Sequence, residues 1–299
     1  MISRICLLGF GEVGQVMAAD IGASSAVALA AHDKLFSDPA SIPSQAADRF
    51  PGVERVSAAS RAAVDCQLVI SAVTAEENLR SAEAIVPGLE PDAWFLDLNS
   101  TAPDTKRRVA EVVEAAGGRY LEAAVMAPIE PKRLAVPVLL GGPHAEAFQP
   151  IALSLGLEGA VFYSSKLGAA AATKMCRSVI VKGLEALVTE SLLAARHYGV
   201  EENVLGSLSN LFSGEDWPEL ARYLISRSLE HGSRRAAEMR EVAKTVEDAG
   251  IAPWMSRACA ERQDWAAGFS AALESPDLYT MLDFIHSRQT THAEEATPL

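Results

Sequence analysis

The sequence predicts an α/β domain over residues 1–165, with a parallel sheet and crossover helices, followed by an all-helical domain over residues 166–299. Three observations carry this reading. Short apolar strands alternate with helical segments through the first half of the chain. A glycine-rich turn joins the first strand to the first helix. Strand signals stop near Lys166, and alanine-rich helical periodicity then runs almost to the C-terminus.

The first strand–turn–helix is the most informative. Ile5 to Gly9 reads as a buried strand and Val13 to Ile21 as a helix, with Val16, Met17 and Ile21 apolar. Between them Gly9, Gly11 and Gly14 satisfy G-x-G-x-x-G. Gly9 makes the tight turn out of the strand, Gly11 lets the backbone approach a pyrophosphate, and Gly14 lets helix and strand pack closely. The helix N-terminus offers N–H groups and a positive dipole end to phosphates. Gly9, Phe10, Gly11, Glu12, Val13 and Gly14 are therefore expected to hold a dinucleotide.

Ala26 to Ala31 is a second apolar strand, followed by His32-Asp33-Lys34. Asp33 lies nineteen residues after Gly14, where an acid accepts hydrogen bonds from the adenosine ribose hydroxyls. Its charge repels a 2′-phosphate and so favours NAD, while Lys34 beside it leaves NADP open. A turn residue after a strand is the plainer reading of Asp33.

Ser37 to Gly52, with Pro39, Pro43 and Pro51, reads as loop. Leu68 to Val73 is the next strand, and its end adds Ala72, Val73 and Thr74 to the cofactor candidates. Glu76 to Val86 is a helix ended by Pro87-Gly88, Ala93 to Leu98 a strand, and Thr105 to Ala116 a helix stopped by Gly117-Gly118. Tyr120 to Val125, Val136 to Leu140 and Ala160 to Tyr163 read as further strands. Pro218, Pro253 and Pro276 punctuate the helices, and the polar stretch Ser287 to Leu299 reads as a frayed tail.

Composition narrows the partners. With 299 residues and 49 % hydrophobic side chains, the chain can build a substantial core. A net charge of −13 without a basic cluster argues against nucleic acid. Cys6, Cys66, Cys176 and Cys259 are scattered with no C-x-x-C pair, which fits reduced cytoplasmic thiols and neither disulfides nor a bound metal. The first strand starts at once, so no signal peptide is expected, and no apolar run reaches the roughly 18 residues of a membrane span.

A dinucleotide site does not name a reaction, so a proton-transfer group is needed. The best candidate is Lys174, in Leu167-Gly-Ala-Ala-Ala-Ala-Thr-Lys-Met-Cys-Arg-Ser178. A lysine in an otherwise apolar turn is partly desolvated, which moves its pKa from about 10.4 toward the working pH. The alternative is a helix-surface lysine reaching into water.

With these motifs in view, the chain resembles the β-hydroxyacid dehydrogenase family, which includes 6-phosphogluconate and 3-hydroxyisobutyrate dehydrogenases. The resemblance spans nearly the whole chain. It rests on Gly9 to Met17, on Leu98-Asn-Ser-Thr-Ala-Pro103, on Glu122-Ala-Ala-Val125, on Pro137 to Gly142, and on Gly168 with Lys174. It implies a Rossmann domain with a doubly wound, mixed sheet, an all-α domain that builds a homodimer, and Lys174 as the acid–base group. Asn99 and Ser100 are then implied beside the cofactor, and Thr101 beside the substrate.

The departures shape the rest. Met126-Ala127-Pro128 replaces the family's serine-glycine-glycine, so Met126 and Ala127 are substrate-side candidates without the usual carboxylate cradle. Ser178 stands where the family has asparagine and can still bond a hydroxyl; Arg177 beside it adds a positive charge. Val181 replaces the glutamate of the decarboxylating branch, which argues against decarboxylation. His231-Gly-Ser-Arg234-Arg235-Ala-Ala-Glu238 resembles a less-characterised subgroup with its own C-terminal domain. Either arginine can pair with Glu238 or fork onto a substrate carboxylate, and His231 is a cap or a substrate ligand. Trp217, Trp254, Trp265 and Phe269 line a pocket or belong to core and interface. The expected function is hydride transfer between a nicotinamide and a small hydroxyacid. An imine reductase and a non-catalytic dinucleotide-binding scaffold are the alternatives; retention of Lys174 counts against both.

Overall fold

The computed structural model describes residues 2–24, 27–208 and 216–295. The chain divides into two compact units, Met1–Cys176 and Arg177–Leu299. The first runs β1 (Arg4–Leu8), α1 (Glu12–Ser24), β2 (Ala28–His32), α2 (Ile42–Ala47), β3 (Val53–Arg55), α3 (Ala59–Ala63), β4 (Leu68–Ser71) and α4 (Asn78–Ile85). It continues through β5 (Trp94–Asp97), α5 (Pro103–Ala115), β6 (Arg119–Val125), β7 (Val138–Gly141), α6 (Ala145–Ser154) and β8 (Ala160–Ser164).

The strands form one sheet in the order β3-β2-β1-β4-β5-β6-β7-β8. Every neighbouring pair is parallel except β6 with β7, so the sheet is doubly wound and mixed. Strand order reverses between β1 and β4, the place where such sheets bind ligands beyond the strand C-termini. Alternation along β1 explains the two-faced core. Ile5 and Leu7 pack with Met17 and Ile21 of α1 on one face, and Cys6 and Leu8 with Val109 and Val113 of α5 on the other.

The sequence reading gives loop over Ser37 to Gly52, but α2 lies inside it. Ser41 caps that helix by accepting the Ser44 N–H, and Pro43 sits in its first turn, where an N–H has no helical partner to lose. The edge strand β3 is three residues long and the helices α3 and α6 are short and alanine-rich, too weak in pattern for periodicity to find.

The helix α7 (Ala169–Tyr198) starts in the first unit and runs into the second, which continues with α8 (Glu201–Leu208), α9 (Trp217–Asp248), α10 (Trp254–Ala266) and α11 (Leu278–Glu295). Its core gathers Trp217, Ile225 and Leu229 with Met281, Leu282 and Ile285. Trp265 and Phe269 pack against that core with ring centroids 4.6 Å apart, whereas Trp254 is exposed. The aromatic set is therefore split between core and surface. The expected frayed tail is also corrected: Ser287 to Glu295 continues α11, anchored by Leu278, Met281, Leu282 and Ile285 at helical spacing. Residues 296–299 lie outside the described residues. No described helix is long and apolar enough to cross a membrane.

Candidate active site

The three glycines of the first turn differ in what requires them. Gly9 has φ +97°, and a Cβ there would sit 2.4 Å from the Ala72 carbonyl oxygen. A Cβ on Gly14 would sit 2.2 Å from the Gly9 carbonyl oxygen. Both are demanded by packing. Nothing lies within 4 Å of a Cβ built on Gly11, which is exposed beside Glu12 at the head of α1. No contact among the described residues asks for glycine at position 11, but a phosphate approaching the backbone does, so the turn fits a dinucleotide.

Around this turn the loops are stitched together. The Gly9 N–H donates to His32 O at 2.8 Å and the Ala72 N–H to Leu8 O at 2.8 Å. Asp33 accepts the Phe10 N–H on Oδ2 and the Leu35 N–H on Oδ1, both at 2.9 Å. The plainer turn role of Asp33 is thus realised, and it also sets the carboxylate against the glycine turn. Lys34 pairs with Glu77 across the loop after β4, Nζ to Oε1 at 3.0 Å. The Phe10 ring is buried against Phe36 and Phe50, so only its backbone faces the turn. Val13 and Val73 are half-buried and Thr74 is exposed.

Beyond β4 and β5 lies a buried polar network. Asn99 accepts the Val73 N–H at 2.6 Å and donates to Ser71 Oγ and Asn78 Oδ1. Asn78 donates to Asp97 Oδ2 and Thr101 Oγ1, both at 3.1 Å. Asp97 also accepts the Tyr120 hydroxyl at 2.8 Å and pairs with Lys106 at 2.9 Å. Burial, then Asp97, pushes the Tyr120 hydroxyl well above its usual range and keeps it a donor. Asn99 and Thr101, chosen from the sequence as ligand contacts, are buried members of this network, while Ser100 between them is half-buried.

A recess too narrow to admit a water molecule lies over the network. Ser100 and Thr101 line it from the β5–α5 loop, Glu122 and Ala124 from β6, and Ala171 and Lys174 from α7, with Lys106 at its wall. The structure thus brings Lys174, half-buried, to the same recess as Ser100 and Thr101. Met126 and Ala127 follow β6 and are half-buried outside the recess lining.

The other candidates belong to the second unit. Ser178 is buried in α7 and Arg177 is exposed. Arg234 pairs with Glu238 at 3.0 Å, the i,i+4 partner its spacing offers. Arg235 is buried and bonded to Glu185, which also accepts from Gln263, and Lys182 bonds Glu238. Of the two arginines, Arg234 thus makes the expected pair with Glu238, whereas Arg235 points inward to Glu185. His231 lies 3.2 Å from Glu230, and burial with nearby Arg227 and Arg234 lowers its pKa to about 4.

Sequence reasoning missed Lys106 as a site residue and did not single out Asn78, Asp97 or Tyr120. One signal was available. Asp97 interrupts a buried strand, Trp-Phe-Leu-Asp, and a buried carboxylate requires a cation or donors. Lys106 gave none, since it sits beside Arg107 and Arg108 like any surface helix residue.

Comparison with known proteins agrees with this geometry. Residues 4–162 match the family described as the NAD binding domain of 6-phosphogluconate dehydrogenase, and residues 195–266 match a domain of unknown function, DUF1932. A conserved hypothetical protein from Sinorhizobium meliloti 1021 is 35 % identical, covering 95 % of this chain and 97 % of that one, with a TM-score of 0.71. A 3-hydroxyisobutyrate dehydrogenase from Pseudomonas aeruginosa is 25 % identical over 174 residues, 56 % of this chain and 57 % of that protein's length. The Mycobacterium tuberculosis 3-hydroxyisobutyrate dehydrogenase, solved with L-serine, shares the fold at 18 % identity and a TM-score of 0.66, covering 95 % and 99 % of the two chains.

Proposed function

The chain belongs to the family of the NAD binding domain of 6-phosphogluconate dehydrogenase, and we propose that it is an NAD(P)-dependent oxidoreductase acting on the hydroxyl-bearing carbon of a small carboxylic acid. One observation carries the reading: Lys174 shares a recess with Ser100 and Thr101, which follow β5 in the same sheet whose β1 leads into the glycine turn. The half-length match to the Pseudomonas enzyme supports the substrate class.

The nicotinamide, when bound, supplies the hydride acceptor. Lys174 takes the hydroxyl proton onto Nζ in the oxidative direction and returns it in the reductive one. Ser178, four residues on in α7, orients the hydroxyl, and Ser100 borders cofactor and substrate. Val181 offers no proton where the decarboxylating branch has glutamate, so the substrate keeps its carboxylate.

NAD is the preferred cofactor because Asp33 lies against the glycine turn. The working form is a homodimer: Ile180, Leu184 and Leu187 of α7 are exposed at i, i+4 and i+7, an apolar stripe suited to a second copy. The cytoplasm, where its free cysteines stay reduced, is the proposed compartment.

The test is a panel of hydroxyacids and sugar acids screened with NAD and NADP in parallel, read by the absorbance of the reduced nicotinamide. Turnover of a hydroxyacid with release of carbon dioxide would reject the non-decarboxylating reading. Cofactor binding without turnover across the panel would favour a scaffold.

A further inference from the structure

Glu122 of β6 is fully buried and stands directly opposite Gly141 of β7. Its carboxylate gathers three backbone N–H groups around the start of α7. Oε1 accepts from Gly168 at 2.8 Å and Ala170 at 3.1 Å, and Oε2 accepts from Ala171 at 3.2 Å. A Cβ on Gly141 would lie 2.5 Å from Oε1 and 2.9 Å from Cγ, so glycine there is what lets the glutamate cross its neighbouring strand. Gly168 fixes the other side of the clamp. Its φ of +91° favours glycine, and a Cβ on it would press on Pro103 at 3.2 Å.

A buried carboxylate is unfavourable unless compensated. Here burial pushes the Glu122 carboxyl upward, while Lys106 and the three N–H groups pull it back down. The positive end of α7 works in the same direction as Lys106. Lys106 reaches Glu122's surroundings from α5 and Tyr120 from β6, and Lys174 lines the same recess from α7. Ala170 and Ala171 precede Lys174 by four and three residues, the turn over which a helical side chain leans.

We propose that Glu122 is a positioning residue for Lys174: its carboxylate clamps the first turn of α7 and so holds the lysine, with this acidic group lining the same recess, beside Ser100 and Thr101. Its meaning for catalysis rests on the acid–base reading of Lys174.

The experiment needs no substrate. The acetylation rate of Lys174 is followed against pH by peptide mass spectrometry in the full chain, alongside amide exchange at residues 168–171. In Glu122→Gln the amide nitrogen cannot accept an N–H and the charge is gone. The Lys174 midpoint should fall by about one pH unit, and amide exchange should quicken about tenfold or more. Glu122→Asp, one methylene shorter, should move both readouts in the same direction by less, and it decides the matter if Glu122→Gln does not fold. An unmoved Lys174 midpoint in the folded variants overturns the proposal even if the amides exchange faster, since a plain helix cap would do that alone. A Lys174→Ala variant that keeps turnover would instead end the acid–base reading and leave this titration result standing.

Discussion

The carboxylate of Asp33 accepts the backbone N–H of Phe10 at 2.9 Å, tying the end of β2 to the glycine turn after β1. With Leu35 on its other oxygen, Asp33 holds its own loop and still has lone pairs for ribose hydroxyls. In the proposed function, a structural duty and a sugar-binding duty fall on one side chain.

Cofactor choice should therefore respond to the charges on this edge. Asp33→Asn keeps one backbone bond and loses the charge, so NAD affinity should fall by about tenfold, a loss near 1.4 kcal/mol, while NADP loses less. Glu77→Gln releases Lys34 from its 3.0 Å partner. An exposed pair of this kind is worth about 0.2–1 kcal/mol, so NADP affinity should rise by roughly 1.5- to 5-fold. Fluorescence titration with each cofactor measures both effects.

The glycines should separate stability from binding. Gly14→Ala places a methyl 2.2 Å from the Gly9 carbonyl oxygen and should destabilise the first unit by about 1–3 kcal/mol, read as a lower Tm. Gly11→Ala meets nothing within 4 Å, so Tm should hold while NAD affinity drops. An equal loss of Tm in both variants would contradict the separation.

These contrasts show what the sequence made legible. The apolar run of β1, the glycine spacing and Asp33 are local patterns, and local patterns suffice to nominate the cofactor half of the proposed site. Lys174 was legible only as a lysine in an apolar turn; the recess it shares with Ser100 depends on β5 and α7 meeting in space. Lys106, buried against Asp97, was invisible because its neighbours in sequence are Arg107 and Arg108, while its partner comes from another element. Arg235 misled for the converse reason. Two consecutive arginines read as equivalent partners for Glu238 or a substrate carboxylate, but a helix sends one outward and the other toward Glu185.

Acid should destabilise the second unit through His231. Its folded pKa of about 4 lies below the ordinary 6.5, so the unfolded chain takes up the proton first. Stability is then lost as pH falls from about 6.5 toward 4. At pH 5 the loss should be on the order of 1 kcal/mol, discounted because the side chain keeps some solvent contact. Glu122 and Glu185, both raised by burial, work in the opposite direction. Comparing His231→Gln with the unaltered chain at pH 7 and pH 5, by thermal unfolding, isolates the histidine; an equal acid loss in both would contradict its role.

In the proposed reaction Lys174 moves the proton while the glycine turn holds the cofactor. This is tested most directly by measuring kcat and the NAD Kd side by side in Lys174→Ala, with a hydroxyacid that the panel shows to be turned over. kcat should fall by about 10²- to 10⁴-fold, with the Kd within about twofold of the unaltered chain. Near-normal turnover in that variant would contradict it.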